Sequence, residues 1–528
     1  MQKQVKAGSV KSVFAILITM ALMFALMPVW AADPVAQGFP LIINDVSGLD
    51  EPWPLIGGLP FPEGLLHDSG QIRIVDEQGV EVPSQIDVAA TWRDGSIRWA
   101  LAGLHVDPRG NYRVEFGPNV SRSNPENPLV IEQTDGGLQV DTGVARYEFN
   151  NDALLPDRVV IKGVRVLENS GDGAYLVDNQ GRLARVAGAA AEIETEIVKQ
   201  GPVRTVIRRE GWYVTDDNDR LARAKVWFYL TAGSPYLRVT HTLVFTEDTN
   251  DLWVRDYGLE FRTPEEPEEV VFVYRAAEDL ERMEARVGAQ AFDNFTDDQK
   301  QVIANLLSVA QDWDWQRLSV TPQGAEVYML QDDFPHLLER DCRAVIGSGA
   351  AGIMQQPSEG FWVEPWEKII DVAGEWGDAS YRDHGLTVVL PWLAQQFPKE
   401  IAFGPRGARV ALWSGRSGRD LDFRPVTLVS EFWKEWATGI RGRDNVFAPR
   451  IEHVGGVEKL SELSNARGAA RTHDVWLLPR NASIAAPTLT ARTRAAAHPP
   501  LLQADPQWLC ATEAIGWPMH PQDLERFP

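Results

Sequence analysis

Two short segments of the chain combine residue types that could hold a carboxylate and move a proton. In the first segment, Arg471-Thr472-His473-Asp474, the arginine and the histidine stand two positions apart. On a β-strand this spacing points both side chains to one face, so that a guanidinium and an imidazole converge there. We therefore take Arg471 and His473 as candidate catalytic residues. The alternative is that His473 makes a structural hydrogen bond within a sheet.

The second segment, Tyr381-Arg382-Asp383-His384, precedes a predicted strand and is expected to form a loop. Tyr381 and His384 are candidate catalytic residues, because a phenol and an imidazole can each give or take a proton. Arg382 is a candidate substrate-binding residue that would neutralise a carboxylate. In the alternative reading, Arg382 and Asp383 form a surface ion pair and His384 begins the strand.

The chain contains 19 tryptophans, a high number for its length of 528 residues. Trp362, Trp366 and Trp376 lie around the acidic stretch EGFWVEPWEKIIDVAGEW. An exposed tryptophan face can stack on a sugar ring, so Trp362 and Trp366 are candidate substrate-binding residues. The same rings would also fill cores and the seams between domains, where most tryptophans are found.

Carboxylates and metal-ligating residues give weaker indications. Glu359, Glu364 and Glu367 are of the type that glycoside hydrolases use in pairs, but sequence spacing does not fix their separation. We find no Cys-x-x-Cys, His-Glu-x-x-His, phosphate-binding loop or dinucleotide motif, and expect no metal and no other cofactor. The two cysteines, Cys342 and Cys510, are expected to be buried free thiols.

The candidate residues need a rigid scaffold, and the sequence predicts a β one. From Gly57 to Gly117 apolar and polar residues alternate in short runs. The turns between the runs supply Gly79, Gly95 and Gly110, where a tight hairpin needs a positive φ. This pattern predicts a small antiparallel barrel or sandwich.

Beyond a polar joint at residues 118–128, the alternation resumes over longer runs and predicts a large two-sheet sandwich. Helical spacing after Thr296 predicts a helix inserted between strands, and a second helical patch follows Thr427. The alternating runs cover residues 138–149, 191–198, 203–214, 222–230 and 236–246.

Charge and the N-terminal segment limit the possible partners. The net charge of −23, from 51 basic and 74 acidic residues, disfavours nucleic acid as a partner. Residues 1–31 have the basic start, the short apolar run and the small-residue ending of a signal peptide. We expect an exported protein, periplasmic or extracellular, without stable membrane insertion after cleavage. The alternative is an uncleaved N-terminal anchor.

Three stretches of the N-terminal module are PFPEGLL, QIRIVDEQGVEVPSQ and WRDGSIRWAL. They resemble the first domain of the exo-rhamnogalacturonan lyase and YetA-like family, which is a RIFT-type β barrel. The stretches GPVRTVIRREGWY, DHGLTVVLPWLAQQFPKEI, VALWSG and ARTHDVWLL resemble its second domain, and LLQADPQWLCATEAIGWPMHPQDLERFP resembles the entry to its third, an α/α-toroid.

The resemblance implies a mainly β fold, with a small N-terminal RIFT-type barrel followed by a large antiparallel β-sandwich, or supersandwich. We place the signal peptide at 1–31, the barrel at 38–120 and the sandwich with its helical insertion at 128–465. The start of the toroid falls at 466–528, and we expect that domain to be incomplete in this chain.

The resemblance also implies cleavage of a uronate-containing glycan, such as rhamnogalacturonan, by β-elimination. That reaction needs a group that neutralises the uronate carboxylate, a base that removes the adjacent proton, and an acid for the leaving oxygen. The two segments described first contain these residue types. The expected partner is an anionic polysaccharide or oligosaccharide. The alternatives are a non-catalytic carbohydrate-binding or structural module, and a glycoside hydrolase.

Overall fold

The computed structural model describes residues 37–276, 316–317, 325–328, 340–346, 352–356, 372–415, 418, 420–424 and 465–521. Within these ranges no helix has the length and apolar character needed to cross a membrane. The predicted helices after Thr296 and Thr427 lie outside the described residues, as does the predicted signal peptide.

The N-terminal segment forms short strands whose side chains alternate between a buried face and a polar one, as the period of two predicts. Their inward residues, among them Ile72, Ile74 and Val114, build one apolar core. These strands are β1 (Gln37–Asn44), β2 (Trp53–Pro60), β3 (Ile72–Asp76), β4 (Ser84–Thr91), β5 (Ile97–Val106) and β6 (Tyr112–Phe116).

Two of the three predicted turn glycines adopt a positive φ, which is 77° at Gly79 and 84° at Gly95. The expectation for Gly110 is wrong, because its φ is not positive. A Cβ atom at Gly110 would instead collide with the ring of Tyr112, whose hydroxyl donates a hydrogen bond to the Asp107 carbonyl. Glycine is required there for a close approach rather than for its φ.

A five-stranded antiparallel sheet follows, in the order β11-β10-β9-β8-β7. The run 138–149, predicted as one strand, is a hairpin that turns at Gly143, where φ is 84°. The strands are β7 (Val130–Thr134), β8 (Gly137–Asp141), β9 (Ala145–Asn150), β10 (Arg158–Ile161) and β11 (Val164–Leu167).

A larger sheet contains seventeen of the described strands and folds over on itself. Its long meander, β15 to β17, matches the three predicted runs that begin near residues 203, 222 and 236. The strands are β12 (Ala174–Asp178), β13 (Leu183–Arg185), β14 (Glu194–Lys199), β15 (Arg204–Thr215), β16 (Arg220–Thr231), β17 (Leu237–Phe245), β18 (Val254–Phe261), β19 (Glu269–Ala276), β20 (Gln316–Arg317), β21 (Ala325–Tyr328), β22 (Arg340–Ile346), β23 (Gly352–Gln356), β24 (Val372–Ser380), β25 (Gly385–Val389), β26 (Lys399–Gly404), β27 (Gly407–Trp413) and β28 (Ala470–Arg480).

The pairings of this sheet separate it into two layers with a shared core. One layer runs from β14 through β15, β16, β17, β28, β25 and β24 to β19, and the other contains β12, β18, β27, β26 and β23. Apolar side chains of both layers and of the five-stranded sheet form a single cluster. The predicted mainly β fold, a small barrel followed by a large sandwich, is confirmed.

After β28 the chain returns to the barrel. It forms helix α1 (Ala486–Ala497), strand β29 (Leu501–Ala504) and the short helix α2 (Pro506–Thr512). Strand β29 lies between β1 and β2, antiparallel to the first and parallel to the second. The barrel is therefore built from two distant parts of the chain, with the whole sandwich inserted between them.

This arrangement differs from the predicted boundary at 465/466. Residues 470–480 pair with β17 and β25 and belong to the sandwich, because their alternating side chains continue its core. Residues 501–504 belong to the barrel sheet. Within the segment 466–528, residues 470–480 thus lie in the sandwich and residues 501–504 in the barrel sheet.

The motif Trp92-Arg-Asp-Gly-Ser-Ile-Arg-Trp99 contacts the segment that returns to the barrel after β28. The Arg98 and Trp99 side chains both donate hydrogen bonds to the Ala514 carbonyl, at 2.8 and 3.2 Å. Trp508 stacks on Phe39 with ring centroids 4.7 Å apart, and its indole nitrogen donates to the Pro60 carbonyl. The most distinctive motif of the N-terminal module therefore has a structural role.

Replacement of Trp508 by alanine should lower the stability of the barrel by about 3 kcal/mol, because a stacked ring and a hydrogen bond are lost together. Trp517→Ala is the matched control, since Trp517 is 65% exposed and its loss should change stability by less than about 0.5 kcal/mol. Urea titration of both variants measures the effect. Equal urea midpoints for the two variants would contradict a stabilising role of Trp508.

Candidate functional site

Strand β28 positions both of the predicted segments, but at its opposite ends. Arg471 and His473 lie near its start, whereas Arg480 at its end pairs with Gly385, directly after the Tyr381–His384 segment. Nine residues of extended chain separate the two ends, a distance of about 30 Å. The two segments therefore cannot act on the same sugar ring, and they are two separate candidate sites.

The Tyr381–His384 segment is the tight turn between β24 and β25, closed by a hydrogen bond from the Tyr381 N–H to the His384 carbonyl. The Tyr381 and His384 rings are buried and stack with centroids 4.4 Å apart. Burial raises the pKa of Tyr381 to about 12. Arg382 and Asp383 are exposed, and Asp383 contacts the His384 imidazole at 2.9 Å.

The other predicted binding residues, Trp362 and Trp366, lie outside the described residues, as do Glu359, Glu364 and Glu367. Trp376 is buried in the core that the barrel shares with the sandwich. Cys510 is a half-buried free thiol.

Arg471 and His473 point to the same face of β28, as their spacing predicts, and that face is the interior of the sandwich. The Arg471 Nε donates a hydrogen bond of 3.0 Å to the His473 Nε2. The Arg471 guanidinium also stacks over the Trp413 ring at 4.9 Å. Arg471 is partly exposed and His473 is 4% exposed, so the pair lies at the rim of the sandwich between its two layers.

The hydrogen bonds fix the tautomer of His473. Arg471 can only donate, so the His473 Nε2 must accept and cannot carry a proton. The proton is then on Nδ1, which donates to the Gln396 Oε1 at 3.0 Å. Burial lowers the pKa of His473 well below its ordinary value, and the nearby Lys399 and Arg471 charges add to this effect. His473 is therefore neutral and held by hydrogen bonds on both sides.

Lys399, at the start of β26, is the residue of this cluster that the sequence analysis missed. Its ammonium is fully buried and donates a hydrogen bond of 2.7 Å to the same Gln396 Oε1. Burial lowers the pKa of Lys399 to about 7, assisted by the Arg471 charge and opposed by Glu375 and Asp474. A lysine with this pKa is partly neutral near pH 7 and can act as a base.

Gln396 links the cluster to the surface. Its side chain is exposed, yet its amide oxygen accepts hydrogen bonds from both Lys399 and His473. Gln396 is therefore the exposed member of the cluster that contacts both buried groups. Gln396 and Lys399 belong to the family-like stretch DHGLTVVLPWLAQQFPKEI, and a charged residue at the start of an apolar strand is the signal that could have identified Lys399.

Deeper in the sandwich, two tyrosines and a second histidine extend the cluster. The Tyr257 hydroxyl lies 3.1 Å from the His473 Nε2, and the Tyr213 hydroxyl lies 2.8 Å from the His241 Nε2. His241 is paired with His473 in the register of β17 and β28. Burial lowers the pKa of His241 to about 3 and raises the pKa of both tyrosines.

Together, Arg471, His473, Lys399, Gln396 and Tyr257 form what we call the rim cluster. It offers a fixed guanidinium for an anion, a lysine that can take a proton near neutral pH, and a phenol beside a neutral imidazole. Within the ranges that the structure describes, no group of three or more histidine, cysteine and acidic residues could hold a metal ion.

Comparison with known proteins identifies the first two domains. Residues 54–115 match the PcRGLX-like N-terminal RIFT barrel domain, and residues 129–271 match the PcRGLX-like protein central beta sandwich domain. The family resemblance drawn from the motifs is confirmed. No curated protein matches the chain.

Two solved structures match the chain at low identity. One is a protein in the glycosyl hydrolase family 38 from Enterococcus faecalis, with 11% identity and a TM-score of 0.44 over 89% of this chain and 47% of that one. The other is a putative aldose 1-epimerase from Klebsiella pneumoniae subsp. pneumoniae, with 9% identity and a TM-score of 0.30 over 70% and 88%. The chain spans about half the length of the first protein.

Replacement of Lys399 by methionine should change stability in a pH-dependent way. The pKa of Lys399 is about 7 in the folded chain and about 10.4 in the unfolded chain, so between these values the unfolded chain binds more protons. The stability of the wild type should therefore rise with pH in this window, by at most about 1.4 kcal/mol per unit. The advantage of Lys399→Met should be largest below pH 7 and shrink above it.

Urea titrations of the wild type and the variant from pH 6 to pH 9 measure this difference. Lys225→Met, a change at a partly exposed lysine on the outer face of the sandwich, is the control and should show no such trend. A stability difference between Lys399→Met and the wild type that stays constant with pH would show that Lys399 has an ordinary pKa.

Proposed function

We propose that this chain, whose first two domains are those of the PcRGLX-like family, is an exported lyase that cleaves a uronate-containing glycan by β-elimination at the rim cluster. The family domains indicate a carbohydrate-active protein. The proposal of a lyase goes further and depends on the chemistry of the cluster. Rhamnogalacturonan is the substrate that the family resemblance favours.

The observation that supports the proposal most directly is the chain of hydrogen bonds that links Arg471 to Lys399 through His473 and Gln396. Arg471 contacts His473, and His473 and Lys399 both donate to the Gln396 amide oxygen. A uronate carboxylate bound by Arg471 would be neutralised, and this makes the proton at C5 more acidic. We further propose that Gln396 rotates away when the glycan binds, so that the partly neutral Lys399 reaches that proton.

The elimination then requires few groups. The neutral Lys399 amine takes the C5 proton, the electron pair forms the C4–C5 double bond, and the C4–O bond to the leaving sugar breaks. The resulting ammonium is an acid close to the leaving oxygen and can return the proton to it. His473 positions Arg471 through the hydrogen bond to Nε, and Tyr257 holds His473 from the interior side.

Arg471, near the start of β28, and Arg382, in the turn beside the other end of β28, provide a discriminating experiment. Arg471→Ala should lower turnover by at least about a hundredfold, because the carboxylate loses its counter-charge. Its melting temperature should stay nearly unchanged, since Arg471 is partly exposed. Arg382→Ala removes the exposed arginine at the opposite end and should leave turnover within about twofold. Turnover is followed by the ultraviolet absorbance of the unsaturated uronate product from rhamnogalacturonan and related uronates.

The opposite result, a loss in Arg382→Ala alone, would move the active site to the Tyr381–His384 turn. A parallel fall of turnover and melting temperature in Arg471→Ala would mark Arg471 as structural. Release of saturated sugars would indicate a hydrolase, and binding without any product would indicate a carbohydrate-binding module.

The pH profile of kcat tests the role of Lys399 as the base. The rate should rise with pH and level off above about 7, where Lys399 is neutral. Lys399→Met should lower kcat by about two orders of magnitude or more and remove this rise. Lys399→Arg, which keeps the charge but cannot lose it, should be equally inactive. A pH profile that Lys399→Met leaves unchanged would exclude Lys399 as the base.

A further inference from the structure

Trp392 has an unusual backbone conformation. It lies in the turn between β25 and β26 with a φ of 58°, in the left-handed region that bulky side chains rarely adopt. Such a conformation persists only when surrounding contacts enforce it, and it costs stability without serving the core. Trp392 is 50% exposed, so the strain presents an indole to solvent rather than burying it.

The turn that carries Trp392 is held firmly. The Trp392 N–H donates a hydrogen bond of 2.7 Å to the Glu375 carboxylate, and the Trp392 carbonyl accepts one of 2.9 Å from the Gln396 N–H. The His498 ring and the indole lie at right angles to each other, with centroids 5.8 Å apart. His498 itself contacts Glu375 at 3.2 Å. The indole is thus preorganised, which lowers the entropy cost of binding a ligand to it.

The position of the Trp392 indole beside the rim cluster distinguishes it from the other exposed tryptophan. Trp392 and Gln396 are joined across a single turn, and the Gln396 side chain covers Lys399 and His473. Among the described residues, Trp392 and Trp517 are the two tryptophans with largely exposed side chains. Trp517 lies in the C-terminal segment near the barrel, so Trp392 is the exposed tryptophan that adjoins the rim cluster.

We infer that Trp392 is a sugar-binding platform, on which the apolar face of a pyranose ring of the glycan stacks beside the rim cluster. An indole face suits the C–H face of a pyranose, and His498 and Glu375 beside the indole can hydrogen-bond the hydroxyl groups of that sugar. This inference rests on the proposed function for its substrate class. It assigns the neighbouring sugar to Trp392 and the reacting uronate to Arg471.

Trp392→Asn tests the platform without disturbing the turn, because asparagine tolerates the left-handed conformation. The variant should bind saturated rhamnogalacturonan oligosaccharides about tenfold more weakly, and KM should rise by a similar factor. The value of kcat should stay within about twofold, and the melting temperature should be unchanged or higher because strain is relieved. Titration calorimetry, steady-state kinetics and thermal unfolding measure these quantities.

Trp517→Asn is the matched control and should leave affinity and KM unchanged. Trp392→Gly is the second variant, since glycine adopts the same conformation freely, and it should reproduce the loss of affinity. Unchanged affinity in both Trp392 variants would overturn the inference, as would a wild type that binds none of these oligosaccharides. A lower melting temperature with unchanged affinity would mark the indole as structural and overturn it equally.

Calorimetry separates this inference from the proposed function, because binding of saturated oligosaccharides does not require turnover. A tenfold loss of affinity in Trp392→Asn, in a chain that never forms an unsaturated product, would support the platform and contradict the lyase. Turnover that depends on Arg471 but not on Trp392 would support the lyase and contradict the platform.

Discussion

Strand β29 occupies the gap between β1 and β2, and the rest of the architecture depends on this insertion. The two strands that it joins lie within the first 60 residues, whereas β29 begins at Leu501. The barrel sheet is therefore complete only when the intervening sandwich has brought the two ends of the chain together. Closing so long a loop costs entropy that the local contacts of the barrel must offset. The aromatic contacts of Trp508 and the hydrogen bonds to the Ala514 carbonyl hold the returning segment on the barrel and so help to offset this entropy cost.

A second constraint acts within the sandwich, where a lysine and two histidines are buried among apolar side chains. Burying a charge is costly unless the group is neutral or well paired. The structure meets this demand by lowering the pKa of Lys399, His473 and His241, so that the groups lose their charge more readily. Such a cluster is a poor way to stabilise a core, because apolar residues of similar volume would serve better. Groups with shifted pKa values concentrate at functional sites, and this supports the role proposed for the cluster beneath the exposed Gln396.

The sequence predicts the local features of this chain well and its long-range features poorly. Alternation alone places Arg471 and His473 on one face of a strand, and the motifs alone indicate a barrel followed by a sandwich. Sequence spacing cannot show that Gln396, 77 positions away, is the partner of His473. Nor can sequence spacing show that Tyr381 and His384 lie beside the end of β28 that is farther from Arg471 and His473. That separation follows from the pairing of β25 with β28. The pairing of residues 470–480 and 501–504 with the two sheets is hidden from the sequence for the same reason, since a strand that joins a distant sheet has no local signature.

His498 connects the barrel with the turn beside the rim cluster. This residue caps the C-terminal end of α1, three residues before β29 begins at Leu501, so the barrel fixes its position. From there it contacts Glu375 and the Trp392 ring. Glu375 in turn accepts a hydrogen bond from the Trp392 backbone and influences the charge of Lys399. The barrel contributes no residue to the rim cluster, yet through His498 it orients the turn that carries Trp392 and Gln396. Because the sandwich is inserted between the two parts of the barrel, residues held by both domains contact that turn.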